Sequence, residues 1–483
     1  MSNQKGFLKT EDGWAVWIGL LIFILSLFYI GGLDLLGWVV TPKMWMALSK
    51  SIAPISQNYG GVSGLLSLSL TYVAFLGILM LGAKAIGLKL DKFAFGFTII
   101  FWLTLICMIM GYYANIAANA PADFKKLGIS WSLKLTGEAG LIIALLAGLF
   151  IGNFMPKFAH SLREAAKPEW YIKTAIVILG AGIGVKAVGA TGLATTVMFR
   201  GLCAIVEAYL IYWALVYWIA RRYFKFSREW SAPLASGISI CGVSASIATG
   251  AAIRARPIVP IMVSSLVVIF AVVELIFLPL LAQAFLYREP LVAGAWMGLA
   301  VKTDGAAVAS GQIVDSLIKA RALAVQGINY EPGWMLSTTT TVKIFIDIFI
   351  GVWAFVLAVI WSTAVERKPG EEVRVVEIWT RFPKFIIGYV LTFFLMLFIC
   401  LKFQGILPKA REANAEADVF RSIFFGLTFF SIGLVSNFKK LWEEGIGRLA
   451  LVYVVALFGF IIWIGLAISW FFFHGVKPPI ISG

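Results

Sequence analysis

The chain has 483 residues, of which 60% are hydrophobic and only 13% are charged, and its formal net charge is +15. Soluble domains average roughly 45–50% apolar and about 25% charged residues, so this composition excludes a soluble enzyme. The surplus of Lys and Arg is typical of basic loops at the cytoplasmic ends of membrane helices, and no soluble basic module is present that could bind nucleic acid.

Long apolar runs predict an all-α polytopic membrane protein with about 13 transmembrane helices, each of about 20 residues. The run 14–33 is too long for a signal peptide and is predicted to be retained. We predict a multi-pass protein of the cell inner membrane. In chain order, the predicted spans are 14–33, 65–88, 93–117, 139–155, 170–190, 196–220, 231–253, 257–285, 290–313, 337–363, 382–402, 417–437 and 446–473.

Four clusters of small and polar residues interrupt these spans, at 180–184, 237–246, 337–341 and 431–437. A helix broken inside the bilayer presents free N–H groups, which attract anions without a full positive charge. Cluster 237–246 is therefore predicted to line a cavity, although tight helix packing through small residues is the alternative. Its candidate ligands are Ser239, Cys241, Gly242, Ser244 and Ser246.

Two pairs of glycines suggest an internal repeat. Gly180 and Gly192 have the same spacing as Gly433 and Gly445, and each pair is followed by a long apolar run. The two copies lie an odd number of predicted helices apart, which is the arrangement of inverted repeats in secondary transporters. Because the chain has 46 glycines, coincidence is the alternative.

Ionisable residues inside membrane spans are costly and usually functional. Lys302 and Asp304 are two apart and do not face each other on a regular helix, so either the helix breaks there or each has another partner. Lys343 and Asp347 are four apart on one helical face and could neutralise each other. The two lysines could instead bind an anion, while Asp304 or Asp347 carries protons. Glu207 and Glu274 are predicted to face the bundle, and the amide of Asn153 is predicted to cap a helix end, with ligand binding as the alternative.

No metal site or disulfide is suggested by the two histidines and four cysteines, since none of the cysteines has C-x-x-C spacing. No G-x-x-x-x-G-K-[ST] motif is present either, so no ATP-driven mechanism is predicted. Catalytic motifs such as H-E-x-x-H and G-x-S-x-G are likewise missing, and we expect neither an enzyme nor a cofactor.

Several segments together resemble a known family. They are G-L-F-I-G-N at 148–153, A-I-V-I-L-G at 175–180, S-G-I-S-I-C-G-V-S-A-S at 236–246, V-K at 342–343 and I-G-L at 432–434. Over roughly 139–473, the chain is similar to the YeiH-like family of sulfate exporters, also called conserved hypothetical protein 698. That family is grouped with cation/proton antiporters and anion transporters. Residues 1–135, with three predicted helices, look like an addition to a transporter unit at 136–483.

The resemblance implies a fold like that of sodium–proton antiporters and bile-acid symporters, with two inverted repeats, a scaffold domain and a core domain of crossing discontinuous helices. It also implies sulfate or a related anion as substrate. However, the family's G-x-x-x-H-E reads Gly298 to Thr303 here, with Lys302 in the histidine position and Thr303 in the acidic one. The family's K-x-x-R becomes Lys343 to Ile346. The missing histidine and arginine leave substrate and coupling open.

From these residues we predict a secondary active transporter of a small anion such as sulfate or a sulfonate, working by alternating access and coupled to H+ or Na+. The alternatives are a monovalent cation/proton antiporter, and a membrane-embedded enzyme or subunit of a larger complex. Breaks near Gly242 and at 433–437 are predicted to face each other, and the N-terminal helices could form a homodimer contact. The predicted anion ligands are Ser239, Cys241, Gly242, Ser244, Ser246, Lys302, Thr303, Ser436 and Asn437, and the coupling residues are Asp304, Lys343 and Asp347.

Overall fold

The structure, a computed structural model, describes residues 6–118, 121–133, 139–189, 191–242, 244–256, 258–361, 365, 384–436 and 447–481. These residues are mostly helical. Nine helices in this part of the chain are long and apolar enough to cross a membrane, or ten if the bent pair at 139–162 is one span. The prediction of an all-α polytopic membrane protein is therefore confirmed, whereas the count of 13 spans stays a prediction.

The first half of the chain contains one small β-hairpin among its helices, with Val40 pairing antiparallel to Pro54. Its elements are α1 Glu11–Leu27, β1 Val40–Pro42, β2 Ile52–Pro54, α2 Gly64–Ile86, α3 Leu90–Gly111, α4 Ala114–Ala117, α5 Pro121–Leu127, α6 Ala139–Phe154, α7 Pro156–Leu162, α8 Pro168–Gly189, α9 Thr191–Gly201, α10 Cys203–Val206, a π-helical turn Glu207–Tyr212 and α11 Trp213–Arg222.

The regular elements described in the second half are all helices, and one isolated antiparallel β-bridge joins Tyr330 to Ile480. Its elements are α12 Arg228–Ser239, α13 Ser244–Ala252, α14 Ile258–Phe285, α15 Pro290–Ala300, α16 Asp304–Gln326, α17 Trp334–Ile348, α18 Ile350–Ile360, α19 Phe385–Lys402, α20 Leu407–Val435, α21 Gly447–Ala456, a second π-helical turn Leu457–Ile461 and α22 Ile462–Phe473.

The chain forms two compact units. The first consists of Met1–Ala194, Leu323–Gly327 and Lys384–Ser436, and the second of Thr195–Ala322, Ile328–Pro383 and Asn437–Gly483. In the first unit, α8 packs against α1, α19 and α20, and α6 packs against α20. The N-terminal helix α1 thus belongs to the same compact unit as α8, and this unit extends beyond residue 135. The boundary predicted at 135 stays a prediction.

The break predicted at 180–184 is wrong, because α8 is continuous from Pro168 to Gly189. Its glycines serve helix packing instead: a Cβ on Gly180 would lie 2.4 Å from the carbonyl oxygen of Tyr389 on α19. The break predicted at 337–341 is also wrong. Within α17, the hydroxyls of Thr338 and Thr340 donate to carbonyls four residues earlier, so these side chains are satisfied without any interruption of the helix.

Within the third predicted break, at 433–437, helix α20 ends at Val435 and Ser436 is extended, while Asn437 lies outside the described residues. Helix α20 continues through Gly433 to Val435. A Cβ on Gly433 would lie 2.3 Å from the carbonyl oxygen of Leu145 on α6, and Gly148 makes the reciprocal approach to α20. These glycines therefore bring two helix backbones together, which was the alternative explanation for clusters of small residues.

The side chain of Asn153 acts at the ends of these two helices. Its Nδ2 donates to the carbonyl oxygens of Leu149 and Ser436, both at 2.9 Å. Since Ser436 is the residue at which α20 ends, the amide satisfies a carbonyl that the helix leaves free. The predicted capping role of Asn153 is confirmed.

Replacing Gly433 with alanine should lower the free energy of unfolding of the first unit by about 1–3 kcal/mol, because the methyl group would overlap the α6 backbone. Thermal unfolding of the detergent-solubilised protein, followed by circular dichroism, measures the loss. Gly77→Ala is the matched control, since nothing lies within 4 Å of a Cβ at this position in α2. Equal melting temperatures for the two variants would contradict the close approach of α6 and α20.

Candidate functional site

Helices α12 and α13 form a hairpin, here called hairpin 1, that turns back on itself inside the second unit. The hydroxyl of Thr249 donates to that of Ser236 at 2.7 Å, although 13 residues separate them. Along α14, Gly237 lies against Val263, the tip residue Gly242 against Val267, and Gly250 against Pro260. The two arms therefore run in opposite directions beside the same helix.

Helices α15 and α16 form a second hairpin, hairpin 2, built in the same way against α17. Gly294 and Gly298 on α15 approach the backbone of Met335 and Thr339 in parallel order. On α16, Gly311 lies against Thr339, and Asp315 accepts from the N–H groups of Gly333 and Met335, so this arm runs antiparallel to α17. Each hairpin thus packs along the long helix that follows it.

This geometry corrects two predictions. The segments 231–253 and 290–313 are not simple membrane spans, and the discontinuous helices in them do not cross. The chain breaks in both segments, at 240–242 and 301–303, but each segment turns back instead of crossing. The first arms have 12 and 11 residues, about 16–18 Å of helix, which is too short for an apolar layer of about 30 Å.

The tips of the two hairpins meet. The N–H of Gly242 in hairpin 1 donates to the carbonyl oxygen of Lys302 in hairpin 2 at 2.7 Å. Hairpin 1 precedes α14 and hairpin 2 follows it, so the hairpins approach this contact from opposite ends of a helix of 28 residues. Within the second unit, the break at Gly242 meets a break at Lys302, and the predicted meeting of Gly242 with 433–437 stays a prediction.

The side chain of Lys302 is buried at the tip of hairpin 2, with 1% of its surface exposed. Its Nζ donates to the carbonyl oxygen of Leu299 and lies 4.6 Å from the centroid of the Tyr212 ring. Within the described residues, no carboxylate lies within 4.0 Å of this ammonium group. Because an unpaired buried charge is costly, this lysine is suited to attract an anionic partner.

A second set of charges surrounds the tip of hairpin 1. Lys343 on α17 donates from Nζ to the carbonyl oxygen of Ile240 at 2.7 Å and lies 3.7 Å from Oδ1 of Asp304. Ligand atoms of Cys241, Asp304 and Asp347 all lie within 4.8 Å of one another, and all three residues are buried. Lys343 pairs with Asp304, and the pair predicted between Lys343 and Asp347 stays a prediction. Two carboxylates and a thiol in this space could hold a cation.

Glu274 on α14 holds the tip of hairpin 2. Its Oε2 accepts from the backbone N–H of Lys302 at 3.0 Å, and its Oε1 accepts from the hydroxyl of Tyr453 at 2.6 Å. Glu207 in the first π-helical turn is fully buried, and neither of its carboxylate oxygens has a hydrogen-bond partner among the described residues. Both glutamates face the bundle, as predicted.

The remaining predicted ligands are distributed as follows. Ser239 ends α12 and is buried, and its hydroxyl has no hydrogen-bond partner in the described chain. Ser246 donates to the carbonyl oxygen of Gly242 at 2.6 Å and thus braces the tip of hairpin 1. Thr303 accepts from the N–H of Ala306 and caps α16, while Ser244 begins α13. Ser436 belongs to the first unit, where its hydroxyl donates to the carbonyl oxygen of Ile432.

The sequence-based prediction missed the aromatic residues that complete the site. Tyr453 binds Glu274, and Tyr212 lies under Lys302 and donates to the carbonyl oxygen of Ile461. Both tyrosines are fully buried. In the sequence, these tyrosines are indicated only by their position within apolar runs, because a tyrosine hydroxyl buried there requires a hydrogen-bond partner.

Comparison with known proteins gives consistent matches. A family model described as conserved hypothetical protein 698 matches residues 100–452. A UPF0324 membrane protein of Nitrosomonas europaea is 44% identical over 481 residues, which are 99% of this chain and 98% of the relative. A UPF0324 membrane protein of Rhodopirellula baltica is 29% identical over 427 residues, 86% of this chain and 68% of the relative. An uncharacterized protein of Archaeoglobus fulgidus is 53% identical over 169 residues, 30% of this chain and 90% of the relative.

Proposed function

Because the chain belongs to the conserved hypothetical protein 698 family of membrane proteins, we propose that it is a secondary active transporter of a small anion. The observation that carries the proposal is the meeting of two hairpin tips at Lys302, a buried ammonium group without a carboxylate inside 4.0 Å in the described chain. Sulfate, a sulfonate or a similar oxyanion would bind there. The N–H groups at the tips and the hydroxyl of Ser239 are further donors within the same hairpins.

Alternating access is supported by the similarity of the two hairpins. Hairpin 1 packs on α11, where Trp213 follows the first π-helical turn and donates to Ser236. Hairpin 2 packs on α22, where Trp296 donates to Ile462, the residue that follows the second π-helical turn. A hairpin followed by a long helix thus occurs twice in the same chain order, whereas the helix with the π turn precedes hairpin 1 but follows hairpin 2. We propose that hairpin 1 with α14 and hairpin 2 with α17 form an inverted repeat, with the hairpins as the moving gates on the two sides of the membrane.

Coupling to H+ or Na+ is supported by the charges of the hairpin region. Six ionisable residues there are at most 2% exposed, namely the carboxyl residues Glu207, Glu274, Asp304 and Asp347 and the lysines Lys302 and Lys343. If all six were ionised, negative charge would exceed positive charge by two, which an apolar interior disfavours. Bound protons or cations would supply the missing positive charge, and an anion could then enter.

Liposomes containing the purified protein provide the test. We expect saturable uptake of radiolabelled sulfate or methanesulfonate, driven by an inward pH or Na+ gradient and absent from empty liposomes. The direction of the productive gradient would show the coupling ion. If no anion moves under either gradient, the proposal of an anion transporter is wrong.

A monovalent cation/proton antiporter is the second candidate, and one observation favours it. The cluster of Cys241, Asp304 and Asp347 is suited to a cation, and Lys343 lies beside it. In the same liposomes, exchange of Na+ or K+ for protons that is independent of every anion would support the antiporter. Sulfate-dependent flux would support the anion transporter.

A further inference from the structure

We propose that the carboxylate of Glu274 occupies the anion subsite of this protein, and that the transported oxyanion binds by displacing it. The inference rests on the proposed function and names the position at which the anion binds. Glu274 would act as a tethered anion, held in place until a substrate competes for its hydrogen-bond donors.

Two donors converge on the Glu274 carboxylate, one on each oxygen. The N–H of Lys302 lies 3.0 Å from Oε2, and the hydroxyl of Tyr453 lies 2.6 Å from Oε1. Donors placed in this way fit two oxygens carried by one atom, as in a carboxylate, a sulfonate or sulfate. A halide, with a single centre, would satisfy the two donors less well. The subsite should therefore prefer oxyanions.

The donors are held in place independently of Glu274. The Tyr453 ring stacks on Phe270 at 4.5 Å between centroids, and the carbonyl oxygen of Lys302 accepts from the N–H of Gly242. The subsite is also closed to water, because Glu274, Tyr453 and Lys302 are each at most 1% exposed. Preorganised donors in a dry site bind an anion more strongly than mobile ones in water.

A charge already lies beside the subsite. Lys302 provides the backbone donor and also carries the ammonium group over Tyr212. The charged and titratable groups that act on Glu274 are Lys302 of hairpin 2, Tyr453 of α21 and Lys343 of α17. An incoming anion therefore takes over a place that is already built for one negative charge.

Displacement couples the anion to a proton. Once Glu274 loses both donors inside an apolar interior, its ionised form is disfavoured, so the carboxyl group takes up one proton. For a monovalent anion, the bound negative charge and the added proton cancel, and the net charge of the region stays constant. Release of the anion lets Glu274 return to Lys302 and Tyr453 and lose the proton.

The test uses the full-length purified protein and compares it with the Glu274→Gln variant. A glutamine side chain has the shape of glutamate but no negative charge, so it competes less strongly with an anion for the two donors. At pH 8 we expect Glu274→Gln to bind methanesulfonate at least about tenfold more tightly by titration calorimetry. In weakly buffered solution with a pH indicator, binding should take up about one proton per site in the unmodified protein and about none in Glu274→Gln. Chloride should bind much more weakly to both.

Glu416→Gln is the matched control, because Glu416 is a buried carboxyl residue on α20 in the first unit. It should leave affinity and proton uptake unchanged. Equal affinity of Glu274→Gln and the unmodified protein, with equal proton uptake, would overturn the inference while leaving anion transport intact. If Glu274→Gln fails to fold, anion binding without proton uptake by the unmodified protein overturns it. Absence of any anion binding or flux in the unmodified protein would refute the proposed function and this inference together.

Discussion

Replacing Lys302 with methionine should reduce the affinity for sulfate or methanesulfonate by at least about 100-fold, which corresponds to about 3 kcal/mol. Methionine can fill the same apolar space over Tyr212 but carries no charge. The ammonium group has no carboxylate within 4.0 Å among the described residues, so its removal takes away attraction for an anion without leaving a directly paired carboxylate behind. Lys302→Ala should likewise abolish the rise in melting temperature that the anion produces.

The matched control is Lys173→Met. Lys173 is also a buried lysine, but it lies on α8 in the first unit, where it pairs with Asp12 at 2.9 Å and Glu169 at 3.6 Å. Its loss should lower stability slightly and leave anion affinity unchanged. If Lys302→Met retains the affinity of the unmodified protein, Lys302 is not an anion ligand and the proposed site must be abandoned.

Replacing Lys343 with methionine should lower the free energy of unfolding by about 3–5 kcal/mol, the usual cost of removing one partner from a buried ion pair. The ammonium group of Lys343 lies 3.7 Å from Asp304 and binds the carbonyl oxygen of Ile240. Without this ammonium group, the carboxylates of Asp304 and Asp347 face each other, with one oxygen of each within 4.8 Å of the other. Chemical unfolding in detergent measures the loss.

A double-mutant cycle with Asp304→Asn separates this ion pair from general damage to packing. If Lys343 stabilises the fold through Asp304, the double variant should be more stable than Lys343→Met alone, with a coupling energy of about 0.5–3 kcal/mol. Additive effects of the two substitutions would contradict the proposed pairing.

Composition and the lengths of the apolar runs were sufficient to predict the class of protein. Runs of about 20 apolar residues are typical of segments that cross a bilayer, and such segments form helices because the lipid offers no water to hydrogen-bond their backbone groups. The ionisable residues within those runs could be identified equally well, because the positions of Glu207, Glu274 and Lys302 inside apolar segments show that their burial costs free energy. The cluster of small and polar residues at 237–246 predicted the break at Gly242, but not that the segment turns back there as hairpin 1.

Breaks in helices were much harder to predict. Clusters of glycine, serine and threonine at 180–184 and 337–341 suggested interruptions, yet α8 and α17 are continuous there, whereas α20 ends at Val435 within the predicted break at 433–437. The same residue types serve close packing of two helix backbones, as at Gly433, and only the neighbouring helix decides between the two uses. The break at 301–303 has no such cluster and was indicated only by the spacing of Lys302 and Asp304.

Amino-acid composition and order were enough to predict a bundle of membrane helices with costly charges inside, because hydrophobicity and charge are local properties of each segment. The three-dimensional fold was needed to show that two segments turn back as hairpins and that Gly242 and Lys302 meet at their tips. It also decided which charges meet, bringing Glu274 to a backbone N–H 28 residues away and Lys343 to a carbonyl 103 residues away. Such contacts depend on the packing of α14 and α17 against the hairpins, and the spacing of residues along the chain does not allow that packing to be predicted.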